Sequence, residues 1–164
     1  MDLQKQVENL HARYAHALDD DRLEDWPGFF TEDGVYRIAT AENEARGLPL
    51  PVLYAEGRAM LRDRVASLRH ANIYEPQRYR HIASSFLVES VSATEARSVS
   101  SFLVVRVMQD GQALLFASGR YLDRIVLTPE PTLEPPISIT EARSGEPATP
   151  RCTKPVAAPS SIEM

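Results

Sequence analysis

The spacing of apolar residues changes from helical to alternating near residue 80, and that switch limits the architectures open to the chain. Leu3, Val7, Leu10, Tyr14 and Leu18 recur at four- and three-residue steps, which places them on one helix face. The Asp19-Asp20-Asp21 run should end that helix, and a short second helix is expected over 22–30, started or kinked by Pro27. Glu32-Asp33-Gly34 reads as a turn, Val35 to Ile38 as a strand and 43–51 as a loop. Met60, Leu61, Val65 and Leu68 stripe a further helix over about 56–69. From there the period is two. Ile82, Phe86 and Val88 mark one strand, Val99, Leu103, Val105 and Val107 a second, and Ala113 to Ile125 a long third. Asp110-Gly111 is a hairpin signal because both residues tolerate positive φ, and Gly119 is expected to mark a bulge. Helices followed by an antiparallel meander define an α+β domain with helices on one face of the sheet.

The composition breaks just as sharply after Leu127. All twelve aromatic residues precede it, while eight of the twelve prolines follow it. Proline removes a backbone donor, and a segment without aromatics buries little area against its ordering entropy. The reading is therefore one domain over 1–127 and an extended or disordered proline-rich tail over 128–164. The only cysteine, Cys152, falls in that tail, so an internal disulfide is impossible. A net charge of −5 argues against nonspecific binding to nucleic acid. No stretch approaches the roughly 20 apolar residues of a membrane-spanning helix. The first residues carry no apolar signal region, so a cytoplasmic location is expected.

Few residues combine into a recognised chemical motif. Glu8, His11 and His16 have the spacing of some iron-binding runs, but about 100° per residue sets the two histidines roughly 140° apart on a helix. His16 then faces solvent, and no third ligand is identifiable. One cysteine cannot hold an iron–sulfur cluster, which needs about four Cys, or two Cys with two His. No phosphate-cradling glycine pattern, nucleophile elbow or Cys-x-x-Cys is present. Positive charge is carried almost wholly by arginine. Arg62 and Arg69 read as a solvated helix face, and Arg78 and Arg80 suit bidentate pairing at an interface equally well. Trp26 with Phe29 and Phe30 reads as core, and Tyr54, Tyr74 and Tyr79 as interface anchors.

Several words along the chain, in this order, carry a resemblance. They are Trp26-Pro27-Gly28-Phe29-Phe30-Thr31-Glu32-Asp33-Gly34-Val35-Tyr36-Arg37, Gly47-Leu48-Pro49 and Met60-Leu61-Arg62-Asp63-Arg64-Val65. Ala71-Asn72-Ile73-Tyr74-Glu75, Arg78-Tyr79-Arg80-His81-Ile82 and Phe116-Ala117-Ser118-Gly119-Arg120-Tyr121-Leu122-Asp123 complete the set. Together they resemble the small (beta) subunits of aromatic-ring-hydroxylating dioxygenases, closest to those acting on benzoate, anthranilate, terephthalate and salicylate. The resemblance implies an NTF2-like cone in which a curved antiparallel sheet wraps around the N-terminal helices. It implies a structural subunit with no catalytic residue, cofactor or metal of its own. The Rieske 2Fe-2S cluster and the mononuclear iron are expected in a large (alpha) subunit, three small subunits joining three large ones. A homotrimer of this chain alone stays open. The expected partner interface comprises Arg58, Tyr74, Arg78, Tyr79, Arg80 and His81.

Two other readings use the same residues. A free-standing isomerase or dehydratase would employ His81 with Asp33 or Tyr36, since imidazole titrates in the useful range. A small-ligand binding module would use the cone without chemistry. The tail departs from the family, whose members usually continue into a further apolar strand. The loss of aromatics motivates the hypothesis that the coding frame shifted near residue 127. Translating the other frames of the gene should reveal a family-like ending, and finding none in any frame rules the shift out.

Overall fold

The computed structural model describes residues 2–48, 50–71, 76–128 and 132–142, the last stretch from 133 onward by its backbone. Helix α1 (Leu3–Asp19) leads into a 3-10 helix (Leu23–Phe29), strand β1 (Val35–Thr40) and the short helix α2 (Ala41–Ala45). Strand β2 (Leu53–Glu56) and helix α3 (Gly57–Ala71) follow, then β3 (Arg78–Ser90), β4 (Glu95–Val107), β5 (Ala113–Val126) and β6 (Thr132–Ala142). The six strands form one sheet in the order β2-β1-β6-β5-β4-β3. Every neighbouring pair is antiparallel except β1 with β6, which run parallel. The α+β architecture expected from the change in period is the one observed.

The apolar stripes account for the packing. Val7, Leu10, Tyr14 and Leu18 of α1 are buried together with Leu61, Val65 and Leu68 of α3. They meet the inward residues of the strands, among them Tyr36, Ile38, Phe102, Val104, Ala117 and Ile125. Trp26 is fully buried and meets Phe30 and Tyr36 edge to face, with centroids 5.7 and 5.2 Å away. Edge-to-face contacts set the electropositive ring rim against the negative face of its neighbour and add stability beyond area burial. Buried aromatic groups also need a home for their polar tips. Trp26 Nε1 donates to the Tyr14 hydroxyl at 3.1 Å.

Helix ends are fixed by arginines. Arg69, expected on a solvated face, forms a fork at the end of α3. Its Nη1 lies 2.8 Å from both carboxylate oxygens of Asp21, and Nε and Nη2 reach Glu24 at 2.8 and 2.9 Å. A further bond from Nη2 to the Asp21 carbonyl, at 2.7 Å, holds the turn in which Asp21 adopts φ of 59°. The guanidinium pushes the Glu24 carboxyl down to about 2. At the other end of α3, Arg58 donates to the Phe30 carbonyl and to Glu32, both at 2.7 Å. Beside it Gly57 takes φ of +76°, where a Cβ would stand 3.1 Å from the Glu32 carbonyl.

Three expectations need correction. The loop expected over 43–51 begins as α2, whose first turn is capped by Thr40 Oγ1 accepting from Asn43 N. The irregularity expected at Gly119 falls at Phe116 instead, since Ala117 pairs with Val104 and Leu115 with Val105. The third concerns the tail, where Thr132–Ala142 is a strand inside the sheet rather than a segment outside it. Its prolines are accommodated by a slip in register. Arg124 pairs with Glu134 but Leu122 with Ser138, which leaves Pro135 and Pro136 off the ladder. Pairing with β1 begins only at Ile137.

Because β6 separates β1 from β5, a chain ending at residue 128 should lose cooperative unfolding and scatter light on warming. Circular dichroism with light scattering provides the check. A single transition near the Tm of the full chain would contradict this placement of β6.

Candidate functional site

Polar side chains reach the inner face of the sheet at two places along α1. At its C-terminal end Asp19 meets His81 of β3. The His81 backbone N–H donates to both Asp19 oxygens at 3.1 and 3.2 Å, and the ring Nδ1 lies 2.5 Å from Oδ1. Both side chains are largely buried, at 8% and 6% exposure. Burial strengthens such a pair, because few waters compete for the carboxylate. The partners expected for His81 are elsewhere: Asp33 is exposed in its turn, and Tyr36 packs against Trp26 and Phe30.

Halfway along α1, His11 points inward between Phe86 and Tyr121, with ring centroids 5.0 and 5.4 Å away. Its Nε2 stands 2.9 Å from Oδ2 of Asp123 on β5, close but not aligned as a hydrogen bond. Ser98 Oγ donates to the same oxygen at 3.1 Å. Asp123 Oδ1 and Ser100 Oγ are buried without a hydrogen-bonding partner among the described residues. Around this group two phenols are held protonated. Burial pushes the Tyr14 hydroxyl up to about 12 against the opposing pull of its bonds to Trp26 and Tyr36. Burial, followed by the charges of Tyr14, Asp123 and Asp19, raises Tyr121 well above its ordinary value.

The residues expected at a partner interface are therefore not one patch. Arg78 and Arg80 are exposed, and Arg80 leans on the Asp19 and Tyr79 carbonyls at 3.3 and 3.0 Å. Tyr79 is a correction. Its ring is buried at 3% exposure, edge-on to Phe116, so it belongs to the core. His81 is turned inward to Asp19, and Arg58 is spent on Phe30 and Glu32. Tyr74 lies outside the described residues. His16 is exposed on α1 while His11 is buried, as the helical spacing requires. Among the described residues no group of three or more His, Cys, Asp or Glu is placed to hold a metal ion. No helix among them is long and apolar enough to cross a membrane.

Sequence reasoning missed Asp19 and Asp123 as partners. The signal for Asp123 was present, since it falls on the inward side of an alternation otherwise set by Ala117, Tyr121 and Ile125. A carboxylate there must be paired or hydrogen-bonded to be tolerated.

A cone-shaped α+β domain with an aromatic and polar interior is the class that these features define. The SnoaL-like domain family matches residues 1–131. The terephthalate 1,2-dioxygenase terminal oxygenase component subunit beta 1 of Comamonas sp is 44% identical over 119 residues, 73% of this chain and 77% of that protein. The anthranilate 1,2-dioxygenase small subunit of Burkholderia cepacia is 43% identical over 121 residues, 74% of this chain and 75% of that one. A crystal structure of a beta subunit assigned to an aromatic-ring-hydroxylating dioxygenase of Novosphingobium aromaticivorans superposes with TM-score 0.79. It is 31% identical and covers 85% of this chain and 89% of that one. The benzoate 1,2-dioxygenase beta subunit of Burkholderia mallei shares the fold, with TM-score 0.72 at 16% identity, over 87% of this chain and 91% of its own. The chain belongs to the small (beta) subunits of aromatic-ring-hydroxylating dioxygenases, built on the SnoaL-like domain. It is thus one subunit of an oxidoreductase.

Removing either member of the Asp19–His81 pair should lower stability by about 1–3 kcal/mol, the range for a buried charge-assisted bond. In urea unfolding of Asp19→Ala, His81→Ala and the double variant, the two losses should couple rather than add. Full additivity would show that the contact contributes nothing.

Proposed function

We propose that this chain is a non-catalytic structural subunit, supporting a large dioxygenase subunit that oxidises an aryl carboxylate of the benzoate class. The observation that carries this reading is the identity to two small subunits whose enzymes are named for carboxylated aromatics, terephthalate and anthranilate. The donor inventory supports the division of labour. With a single cysteine in 164 residues, the chain cannot supply the two Cys and two His that a Rieske centre requires. The 2Fe-2S cluster and the mononuclear iron then belong to the large subunit, which also holds the substrate. Three small subunits joining three large ones is the assembly proposed. What this chain supplies is a folded shape whose two inward histidines are engaged internally, His81 on Asp19 and His11 beside Asp123.

The Asp19–His81 pair also supports a second reading, as the acid–base group of a free-standing isomerase or dehydratase. The two readings part on one measurement. On the first, the isolated chain turns over no substrate, copurifies with its cognate large subunit, and carries no iron when the two are separated and analysed. Stoichiometric iron on this chain, or oxygen consumption by it alone, contradicts that reading. Turnover of a substrate without iron favours the second.

A further inference from the structure

Asp123 and its neighbours carry more hydrogen-bonding capacity than the chain itself uses. His11, Ser98, Ser100 and Asp123 are all buried, none more than 5% exposed. An ionised carboxylate offers about four lone-pair sites. Asp123 Oδ2 accepts from Ser98 Oγ at 3.1 Å and has His11 Nε2 2.9 Å away. Asp123 Oδ1 and Ser100 Oγ have no hydrogen-bonding partner among the described residues, and the contact of His11 Nε2 is unaligned. A buried polar atom left unpaired costs more than an ordinary hydrogen bond gains.

The register places the two oxygens within reach of one shared partner. Ser98 pairs with Asp123 and Ser100 with Tyr121, and all four residues are buried on the inner side of their strands. Ser100 is thus the diagonal neighbour of Asp123, with backbones roughly 7–8 Å apart. Two side chains reaching across such a diagonal leave a gap on the order of two O–H···O bonds, each about 2.7–2.8 Å long. Rings wall off the place. His11 stands between Phe86 and Tyr121, with centroids 5.0 and 5.4 Å away, and Phe102 lies 4.6 Å from Tyr121.

From this geometry we infer that one enclosed water molecule bridges Asp123 Oδ1 and Ser100 Oγ beneath α1, as a resident part of the fold. Water fits both sides of the bridge. It donates to the carboxylate oxygen and accepts from the serine hydroxyl, and His11 Nε2 is a further polar atom of the same group. Other occupants fit less well. A protonated Asp123 would turn Oδ1 into a donor that still needs an acceptor. A metal ion would need more ligands, and no group of three or more His, Cys, Asp or Glu is placed to hold one among the described residues. A ligand of many atoms would have to displace the surrounding rings, whereas a single water enters as the helix breathes. The bridge belongs to the isolated chain and stands apart from the identity of its partner.

The test is oxygen-17 relaxation dispersion of water in solutions of the full chain, which counts enclosed waters with long residence, together with thermal melting. Wild type and Ser100→Ala are compared. The variant should lose one long-lived water, and its Tm should fall by about 2–4 °C, the shift expected for one ordinary hydrogen bond in a chain of this length. An unchanged water count overturns the inference whatever the Tm does. A Tm at or above that of the wild type also overturns it, because removing an unbonded buried hydroxyl relieves a cost. A crystal structure of the wild-type chain decides the matter should the variant not fold. A single density peak within about 3 Å of both oxygens supports the bridge. No peak, or a direct bond between the two oxygens, overturns it. So does density for several connected atoms, which would assign the interior to a ligand.

Discussion

Helix α1 can lie on the sheet only because the polar groups that it turns inward find partners there. His11 and Asp19 are set two turns apart, on the face that also carries Leu10, Tyr14 and Leu18. Left unpaired, either would oppose the apolar burial around it, since a desolvated ion or imidazole costs several kcal/mol. Asp123 and His81 answer them from β5 and β3, one contact near the middle of the helix and one at its end. A hydrogen-bonded contact at Asp19 and a close but unaligned one at His11 together set the seating of a helix that dispersion alone would allow to slide. The Arg69 fork then fixes the turn after it, so the elements from α1 through α3 are referenced to the same strands.

Much of this was readable because the helices are amphipathic and the strands alternate. Both patterns are local, and the stripes that they predict are the residues found buried. The pairs were not readable, because a carboxylate records nothing of a partner 62 residues away in sequence. His81 drew attention through its chemistry, yet Asp33 and Tyr36 were the wrong neighbours. Asp33 is held in an exposed turn, and Tyr36 completes the ring cluster around Trp26. Arg58 and Arg69 show the same limit. Arg58 reads as part of an interface and Arg69 as a solvated face, and only the fold reveals that each is engaged by its own chain.

Strand β6 escaped for a different reason. Proline count and loss of aromatics describe a segment that builds no core by itself, and that description is correct of 128–164 as a composition. A strand flanked on both sides draws its stability from neighbours as well as from its own residues. Ile137 and Ile139 sit at alternate positions opposite Tyr36 and Ile38 of β1, and the two prolines precede them where the ladder slips. The SnoaL-like match stops at residue 131, while the beta-subunit structure of Novosphingobium aromaticivorans covers 85% of this chain, more than residues 1–131 make up.

The two faces of the sheet consequently obey opposite constraints. On the inner face each histidine is tied to an aspartate and the phenols of Tyr14 and Tyr121 are held protonated by burial, so movement of a proton there disturbs the seating of α1. On the outer face Leu87 and Ile82 are exposed, and Arg97 and Arg120 form no ion pair among the described residues. The interior is not wholly satisfied, since Asp123 Oδ1 and Ser100 Oγ lie buried without a hydrogen-bonding partner among the described residues, and the outer face leaves those two apolar side chains exposed.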